Sequence, residues 1–302
     1  MSQQYAFDQL HVDVARNSTD DFNPFHDPLR WNNIIGNPFA GPIALGFQLE
    51  FLCSDRIMRH RTKEGSIGED PPPFRNFEFN FAGALRVGES FAVDVRKTID
   101  KTGQGGGLSN RVIVRKEYGT PVLIGTQSDT PEPKLRRDGS LDALPSPAEL
   151  QDRAMLPGSD VFVKRKYMTT SNAKNFILGS LCRQHDYIDE LAEHILFPPL
   201  FTASLMSCAL LERGLALGHD FVAAPLVYTS HQISVDMRVQ HRLRSNDVVH
   251  TLVAPPELVA PGNGLGKACV EQQLFRCTAA LDDGSVLFNA RVQLAPLAAL
   301  IG

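Results

Sequence analysis

Cysteine is scarce in this chain and never paired. The five, Cys53, Cys182, Cys208, Cys269 and Cys277, are odd in number and scattered, with no CxxC spacing. That excludes a disulfide framework and a structural zinc site, and it leaves them as small buried hydrophobes. A basic surplus is also missing. The chain has 30 Lys and Arg against 34 Asp and Glu, interspersed, with a net charge of −4, so it presents no broad positive field for nucleic acid. No apolar run is long enough to span a bilayer. No N-terminal stretch combines a basic region, an apolar run and a small-residue cleavage site, so the cytoplasm is the expected compartment and no membrane partner is expected. The Gly103 to Gly107 run is not followed by Lys-Ser/Thr after a strand, so it reads as a hairpin tip and not a phosphate cradle, and no cofactor or metal is expected.

What the chain does have is material for two cores: 302 residues, 43% of them apolar. Its elements recur. A helical start near Phe7 to Asn17 leads through an irregular stretch to an apolar helix from about Pro42 to Met58, with Ile43, Phe47 and Phe51 on one stripe. Strand-like runs follow at Phe74 to Phe81, Glu89 to Thr98, Leu108 to Glu117 and Val122 to Ser128. Thr130 to Glu149 breaks the pattern with four prolines among charges and reads as an exposed linker. The order then repeats: a helical start at Ser171 to Leu181, an apolar helix at Pro199 to Arg213, and strands at Leu226 to Val239, Asp247 to Val253, Ala268 to Leu281 and Val286 to Leu294. Residues 1–130 and 150–302 are therefore expected to be two related units joined by 131–149. Pairing their sheets edge to edge would cover edges that otherwise invite aggregation.

Chemistry concentrates in Asp21-Phe22-Asn23-Pro24-Phe25-His26. Proline fixes its own φ and pushes the preceding residue out of the helical region, so Asp21 and His26 need not point apart as they would on a helix. A carboxylate and an imidazole sharing one water form a general acid/base pair. The same residue types also build ordinary surface turns, in which side-chain oxygens cap backbone amides.

Asp-x-Asn-Pro-x-His, a short irregular stretch, Gly41-Pro42-Ile43-Ala44-Leu45-Gly46 and an apolar helix together resemble the hydratase motif of the MaoC-like, R-specific enoyl-thioester hydratases and dehydratases. That resemblance implies an α+β double hotdog, two antiparallel sheets each wrapped around a long central helix and joined into one. It implies hydration of a 2-enoyl thioester, or dehydration of the 3-hydroxyacyl thioester, carried on coenzyme A or acyl carrier protein in fatty acid metabolism. By the same resemblance Asp21 and His26 are the catalytic dyad, Asn23 helps to hold the water, and the Gly46 amide receives the thioester oxygen. The flanking apolar residues Phe22, Phe25, Pro42, Leu45 and Phe47 are candidate substrate contacts. Asp20 stands where the family usually has a small residue or glycine, and Leu45 where it has histidine. A second carboxylate beside Asp21 would raise the pKa of one of them. The wording Asp-Asp-Phe-Asn-Pro-Phe-His-Asp, with His194-Ile195-Leu196 later, is also similar to a bacterial family of unknown function.

In the second copy, Arg183-Gln184-His185-Asp186-Tyr187 occupies the place of the motif without Asn-Pro. One catalytic site per chain is expected, with residues 150–302 widening a tunnel for the acyl chain, as the resemblance implies. Candidate cations for the carrier's phosphates are Arg56, Arg59, Arg61 and Lys63 after the first central helix, or Lys134, Arg136 and Arg137 in the linker. Cations at a helix C-terminus are favoured by the dipole in any case, and a charged linker usually just stays solvated. Two other functions fit the same fold: an acyl-thioesterase using Glu50 on the central helix, and a non-catalytic acyl-thioester-binding protein. A chain with two units can stand as a monomer or pair as a homodimer.

Overall fold

The computed structural model describes residues 3–68, 70–136, 146–259 and 271–300. The N-terminal half contributes strands β1 (Gln4–Tyr5), β2 (Phe74–Phe81), β3 (Phe91–Val95), β4 (Ile99–Asp100), β5 (Leu108–Lys116) and β6 (Pro121–Thr130). The C-terminal half contributes β7 (Ala154–Met155), β8 (Phe162–Tyr167), the small hairpin β9 (Ile188–Asp189) and β10 (His194–Ile195), then β11 (Leu226–Asp236), β12 (Val248–Val253), β13 (Glu257–Val259), β14 (Gln272–Leu281) and β15 (Val286–Pro296). All but β9 and β10 form one sheet, whose main path runs β1-β3-β5-β6-β2-β11-β15-β14-β12-β8-β7, with β4 beside β5 and β13 beside β14 off that path and every pair antiparallel.

The two halves meet at the β2–β11 seam, where Phe77 pairs with Ile233 and Phe79 with His231. Each half wraps its strands round one long helix, α2 (Gly46–Glu64) or α4 (Pro199–Ala216), and their buried faces share one apolar core. The shorter helices α1 (Gln9–Thr19) and α3 (Thr170–Gly179) pack on each other. A side chain at Gly179 would place its Cβ 2.7 Å from the His11 carbonyl oxygen, so only glycine allows that approach. The fold is thus a double hotdog.

Boundaries differ where backbone chemistry decides them. The first central helix starts at Gly46, because Pro42 to Leu45 runs extended and bridges Ile43 to Arg86. The strand from Leu226 stops at Asp236, whose side chain accepts from the Arg238 amide and opens the short helix α5 (Met237–Gln240). At the start of the expected linker, the Lys134 amide donates to Asn76 Oδ1 and the Leu135 amide to Ser234 Oγ, so the chain crosses over the seam. The middle of that linker, residues 137–145, lies outside the described residues, as do Cys269 and the first residues of the strand expected from Ala268. The other four cysteines are buried and unbridged. Among the described residues, no helix is long and apolar enough to cross a membrane.

Candidate functional site

The motif begins where α1 ends. Asp8 caps the start of that helix, and Asp20 closes it in the left-handed region at φ 54°. This turn separates the two neighbouring carboxylates. Asp20 points outward to an ion pair with Lys166 of β8, whereas Asp21 turns inward and is buried at 6% exposure. The like-charge repulsion expected between them is thereby relieved by geometry and by a lysine from the other half. A position that needs positive φ is also one that glycine fits best and aspartate tolerates, which accounts for the unusual residue there.

Pro24 to His26 form a single 3-10 turn, with Asn23 Oδ1 accepting from the Phe25 amide and Asp21 Oδ1 accepting from the Asn23 amide at 3.0 Å. Asn23 therefore has its carboxamide oxygen engaged in the turn. Phe25, 3% exposed, anchors the turn in a small cluster with Ile34, Phe39, Ile43, Val227 and Leu297. His26, 6% exposed, places Nδ1 at 2.8 Å from the Ile43 carbonyl oxygen. A carbonyl only accepts, so Nδ1 carries a proton, which in a neutral imidazole puts the lone pair on Nε2.

His26 and Asn23 line a cavity of about 400 Å³ together with Leu45, Gly46, Leu49, Phe81 and Tyr228. Gly46 is the first residue of α2, so its amide is among those with no acceptor inside the helix and faces the positive end of the dipole. The space beside its α-carbon is filled: a Cβ there would lie 2.8 Å from Phe81 Cζ. Of the candidate substrate contacts, Phe25 and Leu45 line this cavity. Phe22 is 40% exposed and lies edge-on to Phe221, while Phe47 is buried and stacks on His231, so these two and Pro42 fall outside the lining. Asp21 is also not in the lining, although Asn23 and His26 of the same turn are.

Glu50 is neither on the surface nor in the cavity. It is fully buried at the seam, with Oε1 2.8 Å from His231 Nδ1, and His231 is equally buried. A base sealed from water in this way does not suit thioester hydrolysis. The cations read from the sequence are largely engaged as well. Arg61 is fully buried and bonds Asn110 and Asp129, Arg56 and Arg59 both hold Asp55, and Arg59 also holds Asp186. Burial pushes the Asp129 carboxyl upward, but the Arg75 and Arg61 guanidiniums outweigh it and hold the pKa below the usual range.

The second copy keeps a hollow at the corresponding place, about 1050 Å³, lined by Asp186, Tyr187, Pro199, Asp55, Arg59 and Arg75 among others. Its turn, Gln184–Asp186, is again 3-10, but His185 faces solvent with two thirds of its side chain exposed. Tyr187 donates to Asp55 Oδ1 at 3.2 Å instead.

Tyr228, Phe81 and the Glu50–His231 pair escape sequence reasoning. Phe81 of β2 and Tyr228 of β11 reach the cavity from far along the chain, and Glu50 of α2 meets His231 of β11 behind it, pairings that no local spacing signals.

No protein-family model and no curated protein matches this chain. Solved structures do match. A MaoC-like dehydratase superposes with a TM-score of 0.59 at 12% identity, covering 98% of this chain and 96% of that one. A protein described as a MaoC domain dehydratase from Chloroflexus aurantiacus gives 0.62 at 10% identity, with 98% and 93% covered. A conserved hypothetical protein from Mycobacterium tuberculosis, described as a double hotdog, gives 0.59 at 11% identity, with 97% and 96% covered. At such identities the likeness establishes the fold: the chain is a double-hotdog protein over nearly its whole length.

Proposed function

We propose that this protein adds water to 2-enoyl thioesters, and removes it from 3-hydroxyacyl thioesters, at the Asp21–His26 turn. The observation that carries the reading is His26. It is buried, its Nδ1 is fixed to a backbone carbonyl, and it shares a cavity with the first amide of a central helix. The fold it shares with dehydratases adds support.

In physical terms, the β-carbon of the enoyl thioester is electrophilic because the carbonyl draws density through the double bond. A water held between the Asp21 carboxylate and His26 Nε2 gives up a proton to this pair as its oxygen adds at that carbon, and a proton is returned at the α-carbon. Charge develops meanwhile on the thioester oxygen. A backbone N–H at a helix N-terminus stabilises such charge, and loss of one donor of this kind lowers rates by roughly a hundredfold or more in other enzymes. The Gly46 amide takes that role here. The substrate is an acyl thioester of coenzyme A or of an acyl carrier protein, and the compartment is the cytoplasm.

The test is turnover. Purified protein mixed with crotonyl-CoA and longer 2-enoyl-CoAs should remove the enoyl absorbance, and Asp21→Asn or His26→Ala should each stop it. Release of free thiol in place of hydration would assign a thioesterase, and acyl-thioester binding with no turnover would assign a binding protein.

A further inference from the structure

A phosphorylated carrier arm needs cations near the His26 cavity, and those foreseen from the sequence are engaged elsewhere. Arg59 and Lys63 line the second hollow, Arg56 holds Asp55, Arg61 is buried, and Lys134 and Arg136 pair with Glu78 and Glu132. A smaller pocket beside the cavity supplies what is missing.

This pocket, about 290 Å³, shares Phe39, Ala82, Gly83 and Ala84 with the cavity of His26, so the two are neighbours across one sill. Residues 82–84 carry nothing larger than a methyl group. Ala82 and Gly83 are exposed, and both amides donate to the Val122 carbonyl oxygen, which fixes the sill at the surface. Charge is divided unequally across it. Among the described residues the cavity lining holds no Lys, Arg, Asp or Glu, whereas the small pocket holds Arg86, Glu89 and Lys116. Two cations to one carboxylate leave one positive charge in surplus.

Glu89 sets the two cations side by side. Arg86 Nε and Nη2 donate to Oε1 at 2.8 and 2.6 Å, and Lys116 Nζ lies 2.7 Å from Oε2. Burial raises the Glu89 pKa, but hydrogen bonds from Lys116 and from the Arg86 amide and guanidinium outweigh it and hold the carboxyl down at about 2, so it stays ionised. A guanidinium has five donors and an ammonium three, so this carboxylate does not exhaust them. Arg86 is 42% exposed and Lys116 25%, and among the described residues no other side chain accepts from either.

The pocket is also locked to the motif turn. Ile43 bridges Arg86 in antiparallel register, with the Ala44 amide donating to the Leu85 carbonyl oxygen at 2.8 Å and the Val87 amide to that of Pro42 at 3.1 Å. Ile43 is the residue whose carbonyl oxygen accepts from His26 Nδ1. Antiparallel partners lie about 4.5–5.5 Å apart between α-carbons, so Arg86 stands one strand spacing from the residue that sets the imidazole. From inside outward the order is apolar hollow, imidazole and helix amide, uncharged sill, paired cations. An acyl carrier arm has the matching order: acyl chain, thioester, pantetheine, phosphate.

We infer that Arg86 and Lys116, held together by Glu89, are the phosphate subsite for the carrier arm, binding the phosphate of phosphopantetheine that coenzyme A and acyl carrier protein have in common. This inference rests on the proposed reading of the N-terminal site, and the measurements below keep the two separable.

Binding is measured with a saturated arm that cannot react. Calorimetry should find wild type binding butyryl-phosphopantetheine about tenfold or more tightly than butyryl-pantetheine, with a gap that narrows as salt is added. Arg86→Gln and Lys116→Gln should each shrink that gap about three- to tenfold, and Arg86→Lys, which keeps the charge, should shrink it less. In kinetics the two Gln variants should raise KM by a similar factor with kcat little changed, because binding is lost equally from ground and transition states. A rise with both crotonyl-CoA and a crotonyl-loaded acyl carrier protein assigns the shared phosphate, and a rise with crotonyl-CoA alone assigns the subsite to the nucleotide's phosphates. Equal affinity of wild type for the two butyryl arms would overturn the inference. So would Gln variants that melt like wild type and keep the full preference for the phosphorylated arm, since Arg86 and Lys116 would then only close the turn from Arg86 to Glu89. A protein that hydrates crotonyl-pantetheine and its phosphorylated form equally well keeps the hydration reading and loses this one. A protein that hydrates nothing, yet prefers the phosphorylated arm through Arg86 and Lys116, loses the hydration reading and keeps the subsite.

Discussion

The two halves solve the same turn differently. Each runs from a short helix through a left-handed residue and a 3-10 turn into a central helix, with Pro24–His26 in one and Gln184–Asp186 in the other. Counted from the turn's first residue, Phe25 corresponds to His185 and His26 to Asp186. Phe25 is buried and pins its turn to an apolar cluster, whereas His185 is exposed and the second turn is held instead by the residue after it, Tyr187, which packs edge-on against Phe51. The next position points into the hollow in both halves. In the first it carries an imidazole, and in the second a carboxylate tied to Arg59. After the left-handed residue comes Asp21 in one half and Cys182 in the other, both buried. Duplication has kept the backbone device and changed its occupants, so the fold alone does not say which half reacts.

The largest effect should come from breaking this asymmetry at the dyad. Asp21→Asn and His26→Ala should each lower hydration by roughly a hundred- to ten-thousandfold, the range expected for a lost acid or base. The paired changes His185→Ala and Asp186→Asn should leave turnover within about twofold. Parallel assays with crotonyl-CoA decide it, and equal loss from both pairs would mean the second hollow takes part.

The halves also differ in how their central helices are tied to their sheets. Helix α2 buries Arg61 against Asp129 and Asn110, while α4 buries Arg213 over the face of Phe275 at 5.7 Å. Removing one partner of a buried ion pair leaves the other uncompensated, so Arg61→Ala should destabilise by about 3–5 kcal/mol, and Arg213→Ala by about 1–2 kcal/mol with its cation–π contact. Denaturant titration of both variants tests the order. Asp129 adds a pH sign. Its folded pKa lies below the ordinary carboxylate value, so the stability it contributes is present above that value and is lost as pH falls through the folded pKa. Acid unfolding should therefore begin at higher pH in Arg61→Ala.

Much of this contrast is legible in the sequence, and the rest is not for a definite reason. The order of helix and strand repeats because apolar period and turn residues are local, and the Asn-Pro bend is local too. The β2–β11 seam, the Glu50–His231 pair and Tyr228 depend on register between strands some 150 residues apart, on which spacing along the chain is silent. Arg61 reads as a surface cation at a helix end because its partner Asp129 lies at the far end of another strand. A bulge in β11, between Tyr228 and Ser230, inverts an alternation that would otherwise have pointed Thr229 inward.

A smaller effect is expected at the helix starts. Gly46 opens α2 against the Phe81 ring, while Pro199 opens α4, where proline is naturally at home. Gly46→Ala pushes a methyl to 2.8 Å from Phe81 Cζ, and that ring is backed by His231. Overpacking of this kind costs about 1–3 kcal/mol. The shift it forces on the first amide of α2 should lower kcat about tenfold. A thermal melt together with kinetics separates the two, since a loss of stability with unchanged kcat would remove the Gly46 amide from the mechanism.

The smallest effect tests an ion pair that joins the start of the motif to the other half. Asp20 holds Lys166 of β8, but its side chain is 64% exposed, and exposed pairs contribute about 0–1 kcal/mol. Asp20 also sits at φ 54°, where a residue with a Cβ is disfavoured by roughly 1 kcal/mol and glycine is not. In Asp20→Gly the lost ion pair and the relieved backbone nearly cancel, so the melting temperature should move by no more than a few degrees and hydration should stay within about twofold. Asp20→Val, which keeps a Cβ and branches it, should lose stability without relief. A tenfold fall in kcat for Asp20→Gly at unchanged stability would show that Lys166, from the C-terminal half, steers Asp21 through its neighbour.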